Sequence, residues 1–297
     1  MSSIVPHWVG NQAIVDETTE SFPVYNPATG ELIASVQQAS DLLCDDAVVT
    51  AAQAFEGWSQ TPPSKRAQIL FKFRALLERY QPDLARIVTR EQGKTLDDAK
   101  GSIARAIELV EFHCGLLTQL QGVFSSNVAT DIDCTTLRQP LGVCMGVSPF
   151  NFPVMVPTWM IIPAIACGNT FILKPSEQVP SAPIRLLEYL YDAGLPLGVA
   201  NILQGNKKVV DRLIENPTIQ AVTAVASTPV ASSIYQKAIA QGKRAHTFGG
   251  AKNHAVVLDD ANMEQTAEAL VGAAFGSAGE RCMAISVVVA VGDEVAE

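Results

Sequence analysis

The sequence predicts an α/β protein with a largely parallel sheet, and three observations support this fold class. The chain has 297 residues, of which 48% are hydrophobic and 17% charged, so it can bury a large core in about two domains. Short runs rich in β-branched residues recur after residue 130. Helical stretches separate several of these runs, and this alternation of strands and helices is typical of a twisted parallel sheet.

The first 120 residues change from a strand-like to a helical pattern. A turn signal at 26–30 lies between short apolar runs and predicts a hairpin-like start. The pattern from 40 to about 117 is helical, with an apolar stripe formed by Leu70, Phe73, Leu77 and Tyr80. The prolines at 62–63 and at 82 predict helix starts, and Thr95 is the predicted N-cap of a further helix.

The second part of the chain contains the predicted sheet. Its predicted strands are Cys134–Leu137, Gly142–Val147, Thr170–Leu173, Ala200–Leu203, Ala221–Val225, Ala255–Leu258 and Ile285–Val291. Its predicted helices include Ser181–Ala193, Lys207–Glu215 and Pro229–Ala240. The last strand is a continuous apolar run, which predicts burial. Because a single strand must pair into an existing sheet, we expect the natural chain to extend beyond Glu297.

Composition and charge exclude several function classes. Acidic residues outnumber basic ones by 30 to 21, which gives a net charge of −9, and the absence of a basic run argues against nucleic acid and anionic membranes as partners. The N-terminus lacks the pattern of a secretory signal. The most apolar stretch, 152–168, contains three prolines and is shorter than the ~20 residues of a membrane span, so we expect a buried, proline-interrupted helix and loop. These features predict a cytoplasmic protein.

The cysteines predict neither a metal site nor a disulfide framework. They are Cys44, Cys114, Cys134, Cys144, Cys167 and Cys282. No two of them have C-x-x-C spacing, so we expect reduced thiols and no bound metal.

Three polar segments are candidates for chemistry. Cys282 follows glycines that permit a close approach, and the adjacent Arg281 favours a thiolate. Asn151, between two prolines on a strand-to-helix turn, can aim its amide at a developing oxyanion. Lys174 and Glu177 follow a strand and could hold a ribose, since ligands bind at the carboxyl ends of parallel strands. Taken alone, each segment has a simpler interpretation. Cys282 would be a buried cysteine, Asn151 an ordinary turn residue, and Lys174 with Glu177 a solvated charge pair.

Together these segments resemble the aldehyde dehydrogenase superfamily from about Trp8 to the end of the chain. The matching segments, in order, are Phe150-Asn151-Phe152-Pro153, Gly168-Asn169-Thr170 with Lys174-Pro175-Ser176-Glu177, Phe248-Gly249-Gly250 and Gly279-Glu280-Arg281-Cys282. The resemblance implies a Rossmann-like NAD-binding domain formed by residues 1–122 and 140–250. It also implies an oligomerisation hairpin at 123–139 and the truncated start of an α/β catalytic domain at 251–297.

The resemblance assigns a role to each matching residue. Cys282 is expected to attack an aldehyde carbon as the nucleophile, and Asn151 to stabilise the resulting oxyanion. Lys174 and Glu177 are expected to bind the adenosine ribose of NAD, with Glu177 repelling the 2′-phosphate of NADP. The other residues expected to bind NAD are Phe150, Ser227 and Gly249.

One departure from the family pattern narrows the expected reaction. Hydrolytic members have a water-activating glutamate two residues before the Gly-Gly pair, but here that position holds Thr247, which cannot act as a base near neutral pH. This resembles the CoA-acylating methylmalonate-semialdehyde dehydrogenases, whose Gly-Gly-Ala-Lys-Asn-His segment matches 249–254. Two arginines that match Arg105 and Arg281 grip the substrate carboxylate in that family. The resemblance implies oxidation of malonate or methylmalonate semialdehyde with NAD and CoA, and loss of CO₂ to give acetyl-CoA or propionyl-CoA.

Other interpretations remain open at this stage. The family has glycine where Ala226 stands, and alanine is costly there if the turn needs a positive φ. Arg105 is alternatively a surface arginine paired with Glu108 or Glu111. The protein is alternatively a hydrolytic NAD-dependent aldehyde dehydrogenase, with Glu280 as a relocated base, or a non-catalytic nucleotide-binding homologue. We expect this truncated chain to be inactive alone, and the full-length protein to form a homodimer or homotetramer.

Overall fold

The computed structural model describes residues 3–16 and 19–292. Its strands are β1 (Ser3–Val5), β2 (His7–Val9), β3 (Gln12–Ile14), β4 (Ser21–Tyr25), β5 (Leu32–Gln37), β6 (Val123–Ala129), β7 (Ile132–Thr136), β8 (Val143–Val147), β9 (Thr170–Lys174), β10 (Ala200–Ile202), β11 (Ile219–Val225), β12 (Arg244–Phe248), β13 (Asn253–Val257) and β14 (Ile285–Ala290). Its helices are α1 (Asp41–Gln60), α2 (Pro63–Gln92), α3 (Leu96–Cys114), α4 (Met155–Ala166), α5 (Ser181–Asp192), α6 (Lys207–Glu215), α7 (Thr228–Ala240) and α8 (Met263–Phe275). Strands and helices alternate from β8 to β12, so the predicted α/β class is confirmed.

The largest sheet has seven strands in the order β12-β11-β8-β9-β10-β2-β3. The first five of these strands are parallel, and β2 and β3 add an antiparallel edge. Every residue of β8 and β9 is buried, because helices cover both faces of the sheet. Side chains of α2 to α5 form the core on one face, and those of α1, α6 and α7 form it on the other.

The helices α2 and α3 correct one prediction, which concerns Pro82. Helix α2 begins at Pro63 as predicted, but it continues through Pro82, which lies inside the helix and does not start a new one. Leu77 and Leu84, on either side of Pro82, are fully buried in the same core as residues of α3. This packing outweighs the roughly 3 kcal/mol penalty of a proline within a helix. Thr95 caps α3 as predicted, accepting a hydrogen bond from the Asp98 N–H at 3.2 Å.

Two smaller sheets lie near the ends of the chain. The predicted hairpin-like start corresponds to β4 and β5, which pair antiparallel and extend into a three-stranded sheet with β1. After residue 250, β13 and β14 pair in parallel as a two-stranded sheet. The predicted burial of the last strand is wrong, because β14 is mostly exposed and pairs only with β13 within the described residues. Helix α8, which connects these two strands, has no buried residue.

The segment from 123 to 136 is an antiparallel hairpin of β6 and β7. All of its strand residues are exposed, including the apolar Val123, Phe124, Val128 and Ile132. The hairpin falls within the predicted boundaries, but its role in oligomerisation stays a prediction, as do the predicted domain boundaries. None of the helices in residues 3–16 and 19–292 combines the length and hydropathy needed to cross a membrane.

Candidate active site

Four parallel strands end at one cleft of about 590 Å³, here called the sheet-end cleft. The chain leaves β8 toward β9 on one side and later adds β11 on the other, so the order of strands reverses at β8. A reversal of this kind opens a crevice at the carboxyl ends of the strands, where open α/β sheets bind ligands. The residues that line the sheet-end cleft are Val147, Ser148, Pro149, Phe150, Asn151, Lys174, Ser176, Glu177, Gln178, Val225, Ala226, Ser227, Val230, Gly249, Gly250, Glu280 and Cys282.

The nine predicted site residues lie on two clefts. Seven of them line the sheet-end cleft: Phe150, Asn151, Lys174, Glu177, Ser227, Gly249 and Cys282. Arg105 and Arg281 line a second cleft of about 560 Å³, here called the arginine cleft. The consecutive residues Arg281 and Cys282 line the arginine cleft and the sheet-end cleft, respectively.

The side chain of Asn151 is held in a defined orientation. Its amide Nδ2 donates a hydrogen bond to the carbonyl oxygen of Glu280 at 2.6 Å, which ties the end of β8 to the segment that contains Cys282. The Asn151 Oδ1 atom is buried without a hydrogen-bond partner among the described residues. An amide has two protons, so Nδ2 keeps one donor for a ligand.

Cys282 is exposed in a turn just before β14. Its carbonyl oxygen accepts a hydrogen bond of 2.9 Å from Asn253 Nδ2, which also donates to the Ala284 carbonyl at 3.1 Å. The preceding turn contains Ser277 and Ala278 in the left-handed region, both with φ of 58°. The interpretation of Cys282 as a small buried hydrophobe is therefore wrong: the thiol faces a cleft.

Lys174 and Glu177 form an ion pair of 2.9 Å at the end of β9. The Lys174 side chain is only 7% exposed, so the pair is not the solvated one considered above. Burial by itself would raise the pKa of Glu177, but the charge and hydrogen bond of Lys174 hold that pKa below its ordinary value. Glu177 is thus a carboxylate that can accept hydrogen bonds from ligand hydroxyl groups.

The turns after β11 and β12 shape the other wall of the sheet-end cleft. Ser227 is the N-cap residue of α7, a position at which backbone N–H groups favour anions. A Cβ atom at Gly249 would lie 2.8 Å from Thr228 Oγ1, so only glycine fits there. Ala226 is not among the described residues with positive φ, and its N–H donates to the Phe248 carbonyl at 3.1 Å. The cost considered for alanine at this turn therefore does not arise.

Each arginine of the arginine cleft is already paired with a carboxylate. Arg105 Nη1 lies 2.7 Å from Glu108 Oε2 on the exposed face of α3, so the surface pair considered above is present even though Arg105 lines the cleft. Arg281 Nη2 lies 2.5 Å from Asp98 Oδ1. Burial alone would raise the pKa of Asp98, but hydrogen bonds from Ser277 and Arg281 leave it below the ordinary value. A ligand carboxylate would share these guanidinium groups with Glu108 and Asp98.

The structure also bears on which group could activate water. Thr247 is half-buried within β12, opposite Ala224 of β11. Glu177 and Glu280 are the carboxylates that line the sheet-end cleft in the described part of the chain. The Glu280 carboxylate accepts a hydrogen bond from Gln92 Nε2.

Sequence reasoning missed several residues that hold this site together. They are Gln92, Lys94, Asp98 and Asn253, whose side chains contact the segments around Asn151 and Cys282. The available local signals, a glycine helix C-cap at 93 and a cap at Thr95, indicate only where helices end and begin. No local pattern indicates that Lys94 contacts Asn151, which is 57 residues away in the sequence. The same is true of the contact between Gln92 and Glu280, which are 188 residues apart.

Comparison with known proteins identifies the family. The model for the aldehyde dehydrogenase family matches residues 14–297. The chain belongs to the aldehyde dehydrogenase family. It is 48% identical over 291 residues to a protein of Pseudomonas aeruginosa named malonate-semialdehyde dehydrogenase. The alignment covers 98% of this chain and 59% of that relative.

Solved aldehyde dehydrogenase structures have the same fold. A Sinorhizobium meliloti protein described as a methylmalonate-semialdehyde dehydrogenase, solved with NAD, superposes with a TM-score of 0.97 at 47% identity. A methylmalonate-semialdehyde dehydrogenase from Oceanimonas doudoroffii gives 0.96 at 47% identity. The superpositions cover 100% and 99% of this chain and 60% of each of those chains. The chain therefore spans less than two thirds of these relatives.

Proposed function

We propose that the protein containing this chain oxidises malonate or methylmalonate semialdehyde with NAD and CoA. The observation that carries the proposal is that two consecutive residues line the two clefts. Cys282 lines the cleft at the strand ends, and the preceding residue, Arg281, lines a cleft with a second guanidinium group. A small aldehyde with a carboxylate at its other end matches this arrangement of a nucleophile and two cations.

The sheet-end cleft fits NAD. Lys174 and Glu177 would hold the adenosine ribose, and the N-terminus of α7 would receive the pyrophosphate. Gly249 has no side chain, and a Cβ atom there would lie too close to Thr228 at the start of α7. The backbone beside this helix end is therefore not covered by a side chain. When bound, NAD supplies a hydride acceptor. A carboxylate at Glu177 favours NAD over NADP because it repels a 2′-phosphate.

The protein's own residues supply the covalent chemistry. The Cys282 thiolate attacks the aldehyde carbon, and the carbonyl oxygen becomes an oxyanion. The free proton of the Asn151 amide and the backbone N–H of Cys282 stabilise that oxyanion. Loss of a hydride from the same carbon leaves an acyl thioester on Cys282. The support for these roles is that Asn151 is tied to Glu280, two residues before the nucleophile.

The acyl group is proposed to leave on CoA. The Thr247 hydroxyl cannot activate water near neutral pH, and Gln92 already binds the Glu280 carboxylate. The CoA thiolate therefore attacks the thioester carbon, and the Cys282 thiolate is the leaving group. Because the substrate has a carboxylate in the β position to the acyl carbon, loss of CO₂ leaves an enolate, and a proton taken from solvent at the α carbon gives acetyl-CoA or propionyl-CoA. Arg105 and Arg281 are proposed to bind that carboxylate until it leaves.

The exposed β6–β7 hairpin is proposed to join subunits of a homodimer or homotetramer. Its apolar side chains, Phe124 at 64% exposure among them, are left mostly exposed by the described residues. Pairing of exposed edges and apolar faces between identical subunits would bury them. Light scattering of the full gene product, with and without Phe124→Ser, tests this assembly.

The reaction is tested by measuring NADH formation by the full gene product with methylmalonate semialdehyde, with and without CoA. The proposal expects rapid turnover only with CoA. Equal rates without CoA would indicate a hydrolytic enzyme, and Glu280→Gln would then stop turnover if Glu280 is its base. Absence of NADH in both reactions would favour a non-catalytic nucleotide-binding homologue.

A further inference from the structure

The turn that ends α2 places two polar side chains inside the protein. Gly93 ends the helix with φ of 93°, and its N–H donates to the Thr89 carbonyl at 3.0 Å. The flanking side chains of Gln92 and Lys94 are buried, with 6% and 1% exposure. Buried polar groups are stable only when they are hydrogen-bonded. The hydrogen-bond partners of Gln92 and Lys94 therefore indicate which segments this turn holds in place.

Lys94 contacts the segment that contains the amide donor. Its Nζ donates a hydrogen bond of 2.7 Å to the carbonyl oxygen of Asn151 and lies 4.0 Å from the centre of the Phe152 ring. Burial lowers the pKa of Lys94 to about 8, although Asp98 and Glu280 oppose this effect. The Lys94 ammonium group thus contacts both the backbone of Asn151 and the face of the adjacent aromatic ring.

Gln92 contacts the segment that contains the nucleophile. Its Oε1 accepts a hydrogen bond from the Lys94 N–H at 3.1 Å, and its Nε2 donates to the Glu280 carboxylate. The Glu280 carbonyl in turn accepts the hydrogen bond from Asn151 Nδ2. Lys94, Asn151, Glu280 and Gln92 thus form a closed ring of hydrogen bonds that joins the first half of the chain to the segment just before Cys282.

We propose that Gln92 and Lys94 are positioning residues that hold the Asn151 amide and the Cys282 segment at a fixed separation. Neither residue reaches the reacting atoms. Lys94 acts on the backbone of Asn151, and Gln92 acts on the side chain of Glu280. The effect on catalysis rests on the proposed function, but the ordering of these segments does not depend on it.

The ordering is tested by amide hydrogen exchange of the 297-residue chain, with Lys94→Met, Gln92→Met and Lys243→Met. Lys243 is a matched control, since it is also buried and its Nζ donates to the Asn216 and Ile219 carbonyls at 2.6 and 2.7 Å, away from both clefts. Loss of a hydrogen bond to a charged group predicts about tenfold faster exchange. Lys94→Met should show this at residues 150–152 and 280–283, Gln92→Met only at 280–283, and Lys243→Met at neither.

Exchange at 280–283 that stays at the wild-type rate in both Gln92→Met and Lys94→Met overturns the proposal. If Lys94→Met does not fold, Gln92→Met decides alone.

In the full gene product, Lys94→Met should lower kcat about tenfold with little change in KM, since substrate binding does not use Asn151 until charge develops. The same substitution should have no further effect in an Asn151→Ala background. An equal loss in that background also overturns the proposal, and failure of the wild type to turn over would contradict the proposed function while leaving the exchange result decisive.

Discussion

Every residue of β8 and β9 is buried, whereas α8, which lies between β13 and β14, has no buried residue at all. The seven-stranded sheet carries the groups proposed to bind NAD, and they lie at or just after the carboxyl ends of β8, β9, β11 and β12. Cys282 belongs to the second region, from 251 to 292, where little apolar surface is covered. Within the described residues, polar contacts from the first region hold part of the segment that contains Cys282.

Those contacts are polar and few. Asp98 binds Arg281 and the Ser277 N–H, and Asn151 binds the Glu280 carbonyl. Such ties can orient a loop that has no core of its own, provided their own side chains are fixed by packing. The first region therefore carries the cofactor-binding groups and also helps to position the nucleophile, and the predictions below test that division.

The largest expected effect is that of Cys282→Ser in the full gene product. A serine hydroxyl is a far weaker nucleophile than a thiolate, so NADH formation should fall by at least about 10³-fold. Binding of NAD should change little, because Lys174 and Glu177 belong to the other region. Steady-state rates and a titration of NAD check both parts. Turnover near the wild-type rate would show that the nucleophile is another residue.

The next effect compares the stability of the two regions. Ile172 in β9 is fully buried, so Ile172→Ala should lower the free energy of unfolding by about 2–5 kcal/mol. Val256 in β13 is 62% exposed, and Val256→Ala should change it by less than about 0.5 kcal/mol. Urea denaturation of the 297-residue chain measures both values. Similar losses for the two variants would contradict the contrast between the regions.

The sequence was sufficient to predict four adjacent strands of the largest sheet, β11, β8, β9 and β10, because covered parallel strands are rich in apolar residues. For the same reason the burial predicted for β14 was wrong: the strand is present and apolar, but most of its residues are exposed. Strand β12 was not predicted because Arg244–Phe248 contains a basic residue, a histidine and an alanine. Pro82 was read as a helix start because packing against α3 has no local signal.

The parts of the site that lie in recognisable sequence segments were predictable. The nine predicted residues all line one of the two clefts. They were found through the resemblance of their segments to the aldehyde dehydrogenases, and their roles stay predictions. The partners of Arg281 and Asn151 were not predictable. Asp98 resembles an ordinary acid in the first turn of a helix, and Lys94 an ordinary lysine after a glycine, so their long-range contacts emerge only in three dimensions.

A third prediction concerns pH and the first region. Burial raises the pKa of Glu91 from 4.5 to about 7, although its carboxylate accepts a hydrogen bond of 3.1 Å from the Ser181 N–H. Between these pH values the Glu91 carboxyl ionises in the unfolded chain but not in the folded one, so its contribution to stability is fully present below pH 4.5 and is lost as pH rises to about 7. The loss is on the order of 3 kcal/mol.

Glu91→Gln removes this titration but keeps an oxygen for the Ser181 N–H. Its free energy of unfolding, compared with the wild type between pH 4.5 and 8, should therefore show a growing advantage as pH rises. A difference that stays constant over this range would mean that Glu91 ionises normally in the folded protein.

The smallest expected effect is on the tie between the two regions. Asp98→Asn keeps an acceptor for the Ser277 N–H but removes the charge that holds Arg281. Because the ion pair is partly exposed, the protection of residues 276–281 from hydrogen exchange should fall only about threefold at neutral pH. Asp83→Asn is the matched control, since Asp83 also lies 2.5 Å from an arginine, Arg86, but on the surface of α2.

The pH dependence of this tie has the opposite sign to that of Glu91. The pKa of Asp98 is held below its ordinary value of 3.8, so the stabilisation is present above that pH and is lost as pH falls through the lowered pKa. After correction for intrinsic exchange rates, the wild type and Asp98→Asn should therefore differ at pH 7 and converge in strong acid. An Asp98→Asn effect confined to β8 and β9, with 276–281 unchanged, would show that the Cys282 region is held by its own packing.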